Sequence, residues 1–215
     1  MNVLPREPQY ASCFQAAPVT LGPMLSQVWR DDPRRLGFVL ARYKVAAKLF
    51  SGLANVAEIG CGDGFASRIV QQAVDTLTLY DFDPLFVKAA QAQGMAARRW
   101  DITLSALPHK YDGVYALDVF EHISPSCEEK TLDNLAKSLH ATGALLIGSP
   151  SLESQRYAST QSKAGHVNCK SGEELRTLLK KHFTNVFMLG QNDETVHLGF
   201  LPMCHYLFAL AVGPK

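Results

Sequence analysis

The stretch VAEIGCGDGFASRIV, residues 56–70, sets three glycines on alternate positions between a short apolar run and a helix-like one. Glycine populates positive φ freely and lets another group approach the main chain closely. The run therefore predicts a buried strand, a sharp turn and a helix whose first N–H groups face whatever lies over the turn. That junction belongs to layered α/β architectures, in which ligands bind beyond the carboxyl ends of the strands.

Strands and helices alternate along the rest of the chain. An amphipathic helix is expected over 36–50, with Leu36, Val39, Leu40, Tyr43, Ala46, Ala47 and Phe50 at helical spacing. After the glycine turn a helix is expected over 65–73, then strands over 76–80, 96–100 and 113–117, with a helix over 84–93 between the first two. EEKTLDNLAKSLHATG puts Leu132, Leu135, Ala136 and Leu139 on one helical face, with Gly143 as a stop before the strand ALLIG. Ser171 and Glu174 form a capping-box pattern opening a helix that runs to His182, and strands near 185–189 and 205–212 follow. The expected fold is α/β, a single Rossmann-like domain with a seven-stranded, mostly parallel sheet and helices on both faces. Residues 1–52 form a helical cap, 53–215 the ligand-binding domain, and the polar 149–170 segment an acceptor-side loop.

Length and composition agree with one globular domain: 215 residues, of which 47% are hydrophobic and 19% charged. Net charge is +1 with no polybasic block, which disfavours nucleic acid as a partner. The five cysteines are an odd, scattered set without a CxxC pair, as expected of reduced thiols in a cytoplasmic protein. MNVLPREPQY lacks a signal-peptide core, and the apolar 198–212 run, broken by Pro202 and His205, is short for a membrane span. A soluble, cytoplasmic chain is expected; an oligomer is not indicated.

What ligand needs so bare a turn? A dinucleotide fingerprint requires a third glycine where Phe65 stands, and no P-loop lysine is present. Glu58 and Asp63 place carboxylates at the turn, which repel a phosphate and suit a cationic, hydroxyl-rich ligand. Asp81, at the end of the second strand, can accept hydrogen bonds from both hydroxyls of a ribose.

ExGxGxG, then YDFDP, WDI and LDVFEHI, resembles the class I S-adenosylmethionine-dependent methyltransferases segment by segment. The resemblance implies S-adenosylmethionine as cofactor. It also implies that Glu58, Gly60, Cys61 and Gly62 line the methionine moiety, Asp81 holds the ribose and Phe82 lies beside the adenine. By the same resemblance, Asp101 meets the adenine amino group, Ile102 packs on its ring, and Leu117 and Asp118 close the methionine side. Arg42 on the leading helix is placed to reach the cofactor carboxylate.

Methyl transfer to a hydroxyl needs a base. DVFEHI supplies Glu121 and His122, and KAGHVNCKSGEEL supplies His166; His197 is a runner-up. Both segments resemble those of small-molecule O-methyltransferases related to quinone-biosynthesis enzymes, in which an ExxEH segment can bind a divalent metal. Asp118, Glu121 and His122 are the corresponding metal candidates here, for magnesium or a similar cation. The expected reaction is O-methylation of a small hydroxylated acceptor with a histidine base. The alternatives are N-methylation of a small amine, a non-catalytic cofactor-binding subunit, and a nicotinamide oxidoreductase, the last opposed by Phe65 and Glu58.

Overall fold

The computed structural model describes residues 7–15 and 17–215; the leading residues 1–6, part of the segment read for a signal peptide, lie outside it. A short 3₁₀ turn at Pro8–Phe14 is followed by α1 (Pro23–Asp31) and α2 (Arg34–Leu49). The chain then enters β1 (Asn55–Ile59), α3 (Arg68–Gln71), β2 (Thr76–Asp81), α4 (Pro84–Ala92), β3 (Ala97–Arg99) and β4 (Tyr111–Leu117). It continues through α5 (Glu128–Lys137), β5 (Leu139–Pro150), α6 (Thr160–Gly165), α7 (Gly172–His182), β6 (Phe183–Asn192), β7 (Thr195–His197) and β8 (Tyr206–Pro214).

The strands form one sheet in the order β3-β2-β1-β4-β5-β8-β6-β7, with β1 to β5 parallel and β6, β7 and β8 joined by antiparallel pairings. Strand order reverses between β1 and β4, and an α/β sheet opens its ligand crevice at such a switch point. Alternate residues feed two cores. Ala57, Val114, Ala116 and Ile147 pack against α5 and α7, whereas Val56, Tyr115, Leu117 and Leu146 pack against α2, α3 and α4.

Three sequence expectations are corrected. The sheet has eight strands, not seven: β7 is a three-residue hairpin partner of β6, turned at Asp193 with φ 51°. It is too short to show period-two alternation. The helix expected over 65–73 shrinks to α3, because Ile69 and Val70 donate to Ala66 and Ser67 in tight three-residue turns before α-helical bonding begins. Leu139 belongs to β5 rather than to a helix face. The Ser138 hydroxyl donates to the Asn134 carbonyl at 2.7 Å, α5 ends at Lys137, and Leu139 pairs with Tyr111.

The capping box forms as read: the Glu174 N–H donates to Ser171 Oγ, and Glu174 Oε2 accepts from the Ser171 N–H. α1 was not expected. It opens with Pro23 at its first position after Gly22 at φ 81°. Among the described residues no helix is long and apolar enough to cross a membrane.

Candidate active site

β1 ends at Ile59, and Gly60, Gly62 and Gly64 all take positive φ in the turn that follows. Gly60 faces Val119, leaving no room for a Cβ, so the turn lies directly against the segment after β4. Its backbone is tied to β2: the Gly62 N–H donates to Asp81 Oδ2 at 3.0 Å, and the Asp83 N–H to Asp81 Oδ1 at 3.0 Å. Asp81 is buried, and burial raises its pKa against the opposing pull of these N–H groups.

Asp63 faces the other way. Its Oδ2 accepts the Leu25 N–H at 3.0 Å, so a residue of the glycine turn caps α1. Met24 is thereby set over Gly62. Here the carboxylate is matched to a helix N-terminus, the partner that its position in the turn called for.

A cleft of about 580 Å³ opens at the switch point. Gly60, Gly62, Asp81, Phe82, Asp101 and Ile102 line one side of it, and Asp118 and His122 line the other. Trp100 also lines it, as do Met24 and Thr103, which the sequence reading missed as site residues. Among the described residues, three carboxylates and no lysine or arginine face this cleft. Asp101 Oδ1 accepts from the Thr103 N–H and hydroxyl at 2.9 and 2.6 Å. Phe82 is 67% exposed at the mouth.

Glu58, Cys61, Leu117, Glu121, Arg42 and His166 do not line this cleft. Glu58 lies between α2 and β4, 1% exposed, and accepts the hydroxyls of Tyr43 and Tyr115 at 2.7 and 2.6 Å. Burial raises its pKa to about 7, although both hydroxyls favour the anion. Cys61 and Leu117 are buried in the core on that same face. Arg42 Nη1 donates to both Asp118 oxygens at 2.8 and 2.7 Å, and its guanidinium stacks 3.9 Å over the Tyr206 ring centroid. Burial lowers the Arg42 pKa, but Asp118, Tyr206 and Glu121 together outweigh it and the net shift is upward.

The histidines meet at the edge of the cleft. His122 and His166 stack edge to face with ring centroids 5.2 Å apart. His122 Nδ1 lies 2.9 Å from the Gly165 carbonyl, which can only accept, so Nδ1 carries a proton and Nε2 is the acceptor of the neutral ring. The same holds for His166, whose Nδ1 lies 2.8 Å from Gln155 Oε1. The Gln155 amide nitrogen donates to the Ser151 carbonyl at 3.2 Å, which fixes the amide's orientation and makes Oε1 the acceptor. Burial, and then the His122 ring, lower the His166 pKa. Val167 and Asn168 donate N–H groups to the Glu121 carbonyl at 2.9 and 3.0 Å, pinning the His166 loop to the segment after β4. His197 sits apart in β7, with its Nδ1 accepting the Gly199 N–H at 3.0 Å.

The metal candidates regroup. Arg42 takes Asp118, and His166 joins Glu121 and His122 instead, with one donor atom from each lying within 4.8 Å of the others. Glu121 is fully buried, and neither of its carboxylate oxygens has a hydrogen-bond partner among the described residues. Burial and the nearby Asp118 charge raise its pKa to about 8. A carboxylate with two imidazoles fits a transition ion better than magnesium.

Residues 57–145 match the model of a methyltransferase domain family. The matched stretch, which carries the glycine turn, Asp81, Asp101 and Asp118, is similar to methyltransferase domains. No curated protein matches the sequence significantly. Among solved structures, the domain resembles an S-adenosylmethionine-dependent methyltransferase of Thermotoga maritima described as a "possible histamine N-methyltransferase". That match has a TM-score of 0.69 and 17% identity, covering 87% of this chain and 94% of that one. The N-methyltransferase NodS of Bradyrhizobium japonicum, in complex with S-adenosyl-L-homocysteine, matches with a TM-score of 0.61 and 22% identity over 87% and 92% of the two chains. The CurJ carbon methyltransferase matches with a TM-score of 0.65 and 16% identity over 89% of this chain; the chain spans 58% of that protein's length. Carbon and nitrogen acceptors thus occur on one fold, which leaves the acceptor atom to this chain's own residues.

Proposed function

We propose that this protein transfers a methyl group from S-adenosylmethionine to the oxygen of a small hydroxylated acceptor, with His166 as general base. The observation that carries the reading is a cleft lined by Asp81, Asp101 and Asp118, with no lysine or arginine among the described residues that line it, and by His122, whose ring stacks on that of His166. Three carboxylates tolerate a sulfonium and an ammonium and repel a pyrophosphate.

In this reading Asp81 takes the ribose hydroxyls, Phe82 and Ile102 flank the adenine and Asp101 meets its amino group. Gly60 and Gly62 let the methionine portion lie on the backbone. The S-adenosylmethionine sulfonium supplies an electrophilic methyl carbon. The protein's own work is to align the acceptor and take its proton. A low-pKa His166, its Nδ1 proton held by Gln155, keeps Nε2 available as that acceptor near neutral pH. An amine that is already neutral has less need of such a base. Residues 1–52 act as a cap over the cofactor, 53–215 as the transferase domain, and 149–170 as the acceptor-side loop.

Calorimetric titration with S-adenosylmethionine and S-adenosylhomocysteine, with NADH as control, tests the cofactor half. Micromolar binding of both adenosyl ligands and none of NADH is expected. His166→Ala tests the base: cofactor binding stays within a few-fold and turnover falls by roughly a hundredfold or more. Unchanged turnover removes His166 from the mechanism.

A further inference from the structure

A second cavity, of about 490 Å³, has His166 in its wall. Pro150, Gln155, Tyr157, Ala158, His166 and His205 surround it, together with Ser154. His122 lines the first cleft and His166 the second, and these two rings are in edge-to-face contact.

The lining of this cavity selects by chemistry. Among the described residues it contains no aspartate, glutamate, lysine or arginine. An ammonium would find no counter-charge there, nor would a carboxylate, and burying an unpaired charge is costly. Arg156 is near, but its guanidinium is stacked on the Tyr157 ring at 4.6 Å. Flat surfaces dominate instead: a pyrrolidine ring at Pro150, a phenol at Tyr157 and imidazoles at His166 and His205. Such walls fit a planar ring.

The polar groups are mostly engaged within the protein. Ser154 Oγ donates to the Ser151 carbonyl at 2.8 Å, and the Gln155 amide is held by Ser151 and His166. With Nδ1 hydrogen-bonded to Gln155, His166 Nε2 is the ring nitrogen left to meet a ligand.

Building on the methyltransferase reading above, we propose that this cavity is the acceptor site and that its occupant is an uncharged hydroxylated aromatic ring whose hydroxyl is directed at His166 Nε2. The ring oxygen bonds to the transferred methyl carbon as the carbon–sulfur bond of the donor breaks, the sulfur keeping the electron pair. The hydroxyl proton passes to His166 Nε2. Tyr157 and Pro150 are then specificity residues, and Gln155 is a positioning residue that acts through His166.

The test uses the full chain saturated with S-adenosylhomocysteine, titrated by calorimetry with 4-methylcatechol, dopamine and 3,4-dihydroxybenzoate. These probes share a ring and differ in charge. Binding of 4-methylcatechol at least tenfold tighter than of the other two is expected. Ala158→Trp, which fills the cavity from a partly exposed position, should abolish that binding and leave S-adenosylhomocysteine affinity within a few-fold. With S-adenosylmethionine, 4-methylcatechol should be methylated on oxygen with kcat/KM at least tenfold above dopamine. Equal or tighter binding of a charged probe, undiminished binding in Ala158→Trp, or no binding of any probe to the loaded protein overturns the proposal while the cofactor reading stands. Failure to bind either adenosyl ligand overturns the methyltransferase reading itself.

Discussion

Arg42 on α2 and Asp118 after β4, 76 residues apart in the chain, are joined through one guanidinium nitrogen that donates to both carboxylate oxygens at 2.8 and 2.7 Å. The pair ties α2 to the segment that carries His122. Asp118 holds φ 57°, a conformation costly for a non-glycine residue unless its surroundings fix it. The Tyr206 ring beneath Arg42 closes the arrangement from β8.

Removing Arg42 leaves Asp118 strained and uncompensated. The side chains are 21% and 33% exposed, between the regime of surface pairs, worth about 0–1 kcal/mol, and that of buried pairs, where losing one partner costs about 3–5. Arg42→Ala should therefore destabilise by about 2 kcal/mol, read as a fall of roughly 4–8 °C in Tm. Arg42→Lys, which keeps one nitrogen for the carboxylate, should recover part of that loss. A Tm within a degree of wild type in Arg42→Ala would show the pair to be energetically idle.

Glu58 makes stability depend on pH. Its folded pKa of about 7 exceeds the ordinary 4.5, so the folded protein holds a proton that the unfolded chain releases between those values. The contribution is complete below pH 4.5 and is lost as pH rises through 7. Over that window it amounts to about 3 kcal/mol. Glu121, raised to about 8, acts with the same sign. The urea midpoint should fall between pH 5 and pH 8, and Glu58→Gln, always neutral, should flatten that slope. Parallel wild-type and variant profiles would mean that Glu58 is ionised throughout.

Asp81 combines two tasks, holding the Gly62 N–H and, in the proposed function, the ribose. Asp81→Asn keeps an oxygen for the turn and loses the charge and one acceptor. It should weaken S-adenosylhomocysteine binding at least tenfold while Tm moves by only a few degrees. Wild-type affinity would place the ribose elsewhere.

Much of this layout was legible because it is written in local pattern. The bare turn at Gly60, Gly62 and Gly64, the acids closing β2 and β4, and the Ser171–Glu174 box are each signals within a few residues. What escaped was tertiary pairing. Glu58 reads as a ligand contact when isolated, but Tyr43 and Tyr115 engage it from elements 15 and 57 residues away. For Arg42 the sequence offers a cofactor contact and gives no sign of its pairing with Asp118, 76 residues away. The α1 cap on Asp63 joins residues 38 apart. One cue was available: Pro23 just after Gly22, which opens a helix, and a carboxylate at the turn in need of a partner. For β7 no cue existed, because three residues show no period.

That cap carries its own prediction. Asp63→Ala deprives the Leu25 N–H of its acceptor, a loss of about 1 kcal/mol typical of an N-cap. It should release α1 and with it Met24, which lines the cleft. Protease cleavage within 17–33 should become faster, and S-adenosylmethionine affinity should fall several-fold. Asp63→Asn, which keeps an acceptor oxygen, should behave close to wild type. Unaltered cleavage and affinity in Asp63→Ala would detach α1 from cofactor binding.

The histidine pair also decides the question of a metal. Glu121, His122 and His166 fit a transition ion by donor type and spacing, and both imidazoles have the bare Nε2 and the hydrogen-bonded Nδ1 usual for metal ligands. A divalent ion held there would polarise an acceptor hydroxyl as a Lewis acid. His166 has one free nitrogen, however, and that atom cannot hold an ion and take a proton in the same step. With His166 as base, dialysis against EDTA and phenanthroline should leave turnover within twofold, and turnover should fall as pH drops below the His166 pKa, itself below the ordinary 6.5. Loss of activity on chelation, restored by zinc or manganese and accompanied by disappearance of that acid limb, would make His166 a ligand and transfer proton acceptance to another group.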